Sequence, residues 1–234
     1  GDSTGEVSLG ELFKTPETIS GETSADLERT AFLTCRGGWP LAVNMDEDIA
    51  LDQAFDYIDA VEKRDISMAD GINRDAVRTH RILRSYARHQ GAQASYGTIK
   101  ADLAANESDS FDEDTISSYI SALKKIFVIE DSEAWNPNLR SKTAIRTSDT
   151  RYFTDPSIAT AALGLGPEDL INDLNTFGLI FETLCVRDLR VYAEALNGNI
   201  YHYRDKNGLE CDAVVHLRNG NYGLVEIKIG GDNL

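Results

Sequence analysis

Four carboxylates and one lysine in the C-terminal third have the residue types needed for metal-assisted hydrolysis. Asp212 is followed, after thirteen intervening residues, by Glu226-Ile227-Lys228; Glu210 stands two positions before Asp212, and Glu182 lies upstream. Cutting a phosphodiester needs a hard cation on oxygen ligands, an attacking water, and compensation of the charge that grows on the phosphoryl oxygens. Asp212 and Glu226 are the candidate Mg²⁺ ligands, with the Ile227 carbonyl completing the shell. Glu182 adds a third carboxylate, and Glu210 is an accessory one that otherwise pairs with Lys228 or Arg204. Lys228 is placed to orient or deprotonate the water and to offset negative charge. The competing reading is structural, because Glu-x-Lys in a strand is common and a cross-strand acid–lysine pair adds only about 0.2–1 kcal/mol to a sheet.

These groups meet only if a hairpin carries them in the right register. Two β-branched, apolar-rich runs, 209–217 and 221–229, flank Asn219-Gly220, a strong hairpin signal. A two-residue turn sends Asp212 and Glu226 to opposite faces. A three-residue loop, Arg218-Asn219-Gly220 with Gly220 left-handed, pairs Leu217 with Asn221 and sets Asp212 opposite Glu226 and Glu210 opposite Lys228. The three-residue loop is the expected one. The other supporting element is a helix from Asn175 to Leu196, with Gly178, Cys185, Leu189 and Tyr192 in a stripe that includes Glu182, turning that acid toward the sheet.

Upstream the pattern is helical. Leu27, Ala31 and Cys35 recur at helical spacing from Ser24 onward, and Arg36-Gly37-Gly38-Trp39-Pro40 stops the run as a packed corner. A second helix, about 46–64, carries Ala50, Ala54, Phe55, Ile58 and Val61 on one face. A third, about 74–89, turns Val77, Ile82, Leu83 and Tyr86 inward and Arg74, Arg78, Arg81, Arg84 and Arg88 outward. Ser95 caps a short helix through Leu103, and Asp112-Glu113-Asp114 opens another that ends at Lys124-Lys125. Ile126–Ile129 with Ala134-Trp135 reads as a strand pair, so three helices and a two-stranded wing predict a winged helix-turn-helix. Acids at the start of its last helix repel phosphate, so a packing or interaction role outweighs DNA reading. Pro156 opens a helix through Ala162, Gly166-Pro167 begins another, and a turn is expected at Lys206-Asn207-Gly208.

The bulk composition narrows the classes. The net charge of −16 argues against sequence-blind nucleic-acid affinity, which needs clustered Lys and Arg. No apolar run of the length that spans a bilayer occurs, so no membrane partner is expected. Cys35, Cys185 and Cys211 match no metal spacing and read as buried free thiols of a cytoplasmic protein. His202 and His216 read as packing or surface residues rather than ligands.

Several motifs together resemble one family. Cys35-Arg36-Gly37-Gly38-Trp39-Pro40, the helix Arg81–Arg88, Tyr152-Phe153-Thr154-Asp155-Pro156-Ser157, and Gly208–Asp212 with Val225-Glu226-Ile227-Lys228 are similar to a group of prokaryotic proteins. These are AAA-type P-loop ATPases with a C-terminal domain of unknown function, a winged helix and a PD-(D/E)XK nuclease-like fold. The resemblance covers nearly the whole chain with the motifs in order. It implies an α+β protein in three parts: 1–72, the helical tail of an upstream ATPase module; 73–135, a winged helix; and 136–234, a restriction-endonuclease-like sheet with flanking helices that continues past Leu234. It implies that ATP is bound only in the upstream domain, since no Walker A sequence occurs here. It also makes Asp212, Glu226 and Lys228 the catalytic triad, with Glu182 the helical acid. The expected function is the C-terminal region of an ATP-binding protein with a Mg²⁺-dependent nuclease-like site. The alternatives are a non-catalytic regulatory or protein-binding module and, more weakly, a winged-helix DNA-binding regulator.

Overall fold

Among the described residues helices predominate up to Ala195, and the strands of the sheet follow it. The computed structural model describes residues 7–15, 21, 23–107, 109–136, 148–205 and 208–230, and over these the protein is α+β, as expected. The elements run α1 (Leu9–Leu12), α2 (Leu27–Arg36), α3 (Glu47–Ala60), α4 (Ile66–Met68), α5 (Ala76–Arg88), α6 (Tyr96–Asn106), α7 (Glu113–Lys125), α8 (Pro156–Leu163), α9 (Pro167–Asn172) and α10 (Leu174–Ala195). Then come β1 (Gly198–Arg204), β2 (Glu210–Leu217) and β3 (Tyr222–Val225), forming an antiparallel sheet in that order. Residues 137–147, 206–207 and 231–234 lie outside the described residues, and with them most of the loop before Arg151, the turn expected at Lys206-Asn207 and the chain end.

Side-chain caps set the helix starts. Asp26, Asp75, Ser95, Asp112, Asp155 and Asp173 each accept a hydrogen bond from a backbone N–H two or three residues on, satisfying a donor with no partner inside the helix. Helix α2 therefore begins after Asp26 rather than at Ser24. It ends at Gly37, whose φ of 72° suits glycine. The corner that follows packs as expected: the Gly38 N–H donates to Asp155 Oδ2 at 2.9 Å, and the Trp39 indole donates to Ser157 Oγ at 2.9 Å. Arg187 completes the junction with an ion pair to Asp155 at 2.7 Å.

The inward faces differ from the expected ones at specific positions. On α3 the buried row is Ala50, Ala54 and Ile58, and it continues to Val61 in the π-turn Val61–Asp65; Phe55, one step of about 100° from Ala54, faces solvent. Val77 at the start of α5 is exposed, and Arg74, just before the Asp75 cap and so outside the helix, is buried because it forks onto Asp70 and reaches Ser118. Most of the arginines on α5 itself are also engaged. Arg78 and Arg81 meet Asp109, and Arg88 meets Asp102 and Glu107. On α10 the buried residues are Phe177, Ile180, Thr183, Val186 and Ala193, while Tyr192 is exposed and Cys185 half-buried.

Residues 126–135 do not form the expected strand pair with each other. Phe127 closes α7 in a left-handed conformation, φ 58°, and the chain runs on beside 150–153. Ile129 bridges Phe153 and Ser132 bridges Thr150, both antiparallel, and Ala134 bridges His202 of β1 in parallel. The partner is chosen by burial: Val128, Ile129 and Phe153 all sit in the main core. That core runs from Ala54 to Ala162. A second cluster joins α2, α9 and α10, and α10 covers one face of the sheet through Val186, Leu189 and Ala193 against Ala213, Val215, Leu217 and Ile200.

The hairpin has the three-residue loop. The Leu217 N–H donates to Asn221 O at 2.8 Å, the Gly220 N–H donates to Leu217 O at 2.9 Å, and Gly220 has φ 90°. Pairing continues from His216↔Tyr222 to Ala213↔Val225.

Candidate functional site

The site begins where β2 stops being regular. Along β1–β2 the partners are Tyr201↔Val214 and then Tyr203↔Cys211, so one residue of β1, His202, faces two of β2, Asp212 and Ala213. This is a β-bulge, which bends the strand and re-aims a side chain. Ala213 packs under α10 with Tyr152 and Val186, and Asp212 beside it lines a cleft of about 200 Å³ together with Glu182, Glu210 and Tyr152. The other ladder also breaks here. The Ile227 N–H, next in line to bond across to β2, donates to Asp212 Oδ2 at 2.7 Å.

Glu182 enters the cleft from α10. The Tyr152 hydroxyl donates to its Oε1, and Gly91 packs against the carboxylate so closely that an added Cβ would lie 3.1 Å from both oxygens. Gly91 is also left-handed, φ 67°, so any other residue there is opposed by backbone and by space. Burial pushes the Glu182 carboxyl up to about 7, with Asp212, Glu210 and Glu226 pushing the same way and the Tyr152 hydroxyl opposing. Burial likewise raises Asp212, and Glu226 and Glu210 add to this, while the Ile227 N–H and Lys228 oppose it. Burial, then the neighbouring Glu182, raises the Tyr152 phenol. Burial and the neighbouring acids thus hold Glu182 and Asp212 partly toward the neutral form.

The expected residues are divided between the cleft and its outside. Glu182, Glu210 and Asp212 share it. Glu226 and Lys228 lie beyond the last paired residues of the hairpin, exposed, and face each other at 3.4 Å. Glu210 does not reach Lys228; its ion pair is with Arg204, its partner across β1–β2, at 3.5 Å. Among the described residues no three Asp, Glu, His or Cys side chains converge closely enough to hold a metal ion. His202 is buried as a packing residue, its Nδ1 on Ser132 O at 2.9 Å, and His216 stacks within an aromatic group around Trp135.

Tyr152, Gly91 and the bulge are the parts of the site that sequence reasoning missed. Tyr152 stands in an apolar run that reads as strand, thirty residues before the acid it touches. Gly91 reads as a helix terminator. Neither carries a local sign of its second role. All three cysteines are free, and burial pushes Cys35 and Cys185 up to about 12. Among the described residues no helix is long and apolar enough to cross a membrane.

Comparison with known proteins returns two family matches. Residues 177–233 match a domain of unknown function, DUF4143, a domain often found at the C-terminus of AAA ATPases. No curated protein and no solved structure matches the chain. The other match, to the domain of unknown function DUF8612, spans residues 27–169, more than half of the 234 residues, and the chain belongs to that family.

Proposed function

We propose that the cleft between α10 and the β2 bulge binds a divalent cation and serves phosphodiester hydrolysis in a protein whose ATP-binding module lies elsewhere. The observation that carries this reading is the convergence of Asp212 and Glu182, two carboxylates from different elements that line one cleft and are each pushed up by burial and by neighbouring acids. Clustered perturbed carboxylates in a cleft are a signature of functional sites, and a cation relieves their mutual repulsion. The donor set is all oxygen, which suits Mg²⁺ better than a thiophilic ion. Asp212 and Glu182 would hold the ion, with Glu226 the nearest further carboxylate. When bound, such an ion supplies a polarised phosphoryl oxygen and an activated water. Lys228 stands by to offset charge on the substrate.

The exposed Glu226–Lys228 pair favours a second reading, a non-catalytic regulatory or protein-binding module. Calorimetric titration with Mg²⁺ and Mn²⁺, alongside cleavage assays on single- and double-stranded DNA, separates the two. The nuclease reading expects saturable binding and nicking, each reduced at least tenfold by Asp212→Ala. Cation binding without cleavage leaves the regulatory reading, and the absence of binding removes the metal site.

A further inference from the structure

Helix α3 has two faces of opposite kind. Its inner face is the buried row Ala50, Ala54 and Ile58. Its outer face carries a row of exposed acids at i, i+4 spacing, Asp48, Asp52 and Asp56, flanked on one side by Ile49, 52% exposed, and on the other by Phe55, 44% exposed. The loop and 3₁₀ turn leading into it add further exposed apolar side chains, Leu41 at 71%, Val43 at 53% and Met45 at 37%. Five large apolar side chains within fifteen residues is a concentration that scattered surface leucines do not produce. The neighbouring acids Glu47 and Asp59 have ion-pair partners in Arg29 and Lys63; Asp48, Asp52 and Asp56 have none among the described residues.

We propose that this face docks a basic amphipathic segment of a partner protein, its apolar residues seated on Ile49 and Phe55 and its Lys or Arg side chains on the three aspartates. Charge decides the occupant. A second copy meeting this face about a two-fold axis would set its own aspartates against these. Nucleic acid and the anionic leaflet of a membrane are repelled by the same charges. A cationic amphipathic segment satisfies both halves of the pattern, its basic side chains meeting the aspartate row and its apolar ones the flanking Ile49 and Phe55. This role is independent of the carboxylate cleft.

The test uses an 18-residue Leu/Lys amphipathic peptide, its Leu/Glu counterpart, and the whole chain. Wild type should bind the Lys peptide and not the Glu peptide. Ile49→Ser with Phe55→Ser should weaken binding at least tenfold. Asp48→Asn with Asp52→Asn and Asp56→Asn should weaken it as much and flatten its salt dependence. These side chains are exposed, and far-ultraviolet circular dichroism checks that the variants stay folded. A control removes the same charge elsewhere with Glu133→Gln, Glu168→Gln and Glu194→Gln. An equal loss in the control overturns the proposal in favour of general attraction to a −16 chain. Unchanged binding in the face variants also overturns it. So does self-association, seen by sedimentation, that those variants abolish, which would assign the face to a second copy.

Discussion

Two carboxylates in this molecule each receive a tyrosine hydroxyl, Asp131 from Tyr86 and Glu182 from Tyr152. Around Asp131 the remaining partners are cations: Arg151 at 2.5 Å and Lys124 at 2.7 Å. Around Glu182 the remaining charges are Asp212, Glu210 and Glu226. The first centre is compensated and ties α5, α7 and the two segments 128–135 and 148–155 together. The second is uncompensated, and its proton affinity climbs. The same donor therefore completes a charge-balanced cluster in one place and caps an acid surrounded by acids in the other. What distinguishes the two centres is the sign of the surrounding charge, not burial or the tyrosine.

Removing Asp131 tests the structural half with the largest effect. Asp131→Ala leaves Arg151, only 8% exposed, as a buried cation without its counter-ion, and a broken buried pair costs about 3–5 kcal/mol. Urea unfolding should show that loss; a loss under about 1 kcal/mol would make the two centres alike. Glu182 should behave in the opposite way. Its carboxyl titrates near 7 in the fold against an ordinary 4.5, so below pH 4.5 it is protonated in both states and costs nothing. Between 4.5 and about 7 only the unfolded chain ionises it, so the fold loses stability as pH rises through that window. Glu182→Gln should flatten the decline in denaturant midpoint between pH 4.5 and 8, and an unchanged profile would count against an uncompensated acid. The smallest effect belongs to Tyr152→Phe. It should cost about 1 kcal/mol for the lost hydrogen bond and raise the Glu182 titration further, because the phenol is the group that opposes the rise. Following the Glu182 carboxyl by NMR checks this.

Much of the site was legible locally. The loop at Arg218-Asn219-Gly220 follows from glycine's tolerance of positive φ and from which register buries Val215 and Leu217. Glu182 was found because helical periodicity places it among inward positions. Outward and inward assignments failed where a longer-range partner overrode periodicity. Arg74 turned in because Asp70 and Ser118 await it, and Phe55 turned out because Ala54 and Ile58 already fill the contact with α8. The bulge at Asp212 has no local signature, since it reflects a mismatch in length between two strands. Glu226 and Lys228 pair with each other on the exposed side of the segment beyond the last paired residues, a contact that their i, i+2 spacing alone allows.

The parallel bridge between Ala134 and His202 joins residues that fall within the two different family matches, 27–169 and 177–233. The Trp135 N–H donates to His202 O at 2.7 Å, and the His202 N–H donates to Glu133 O at 3.0 Å. Regions that homology separates are thus stitched through one set of amides. In hydrogen exchange those amides should open with the slowest protons of both regions, as one cooperative unit. Expressing 177–233 alone would bare the β1 edge and invite aggregation.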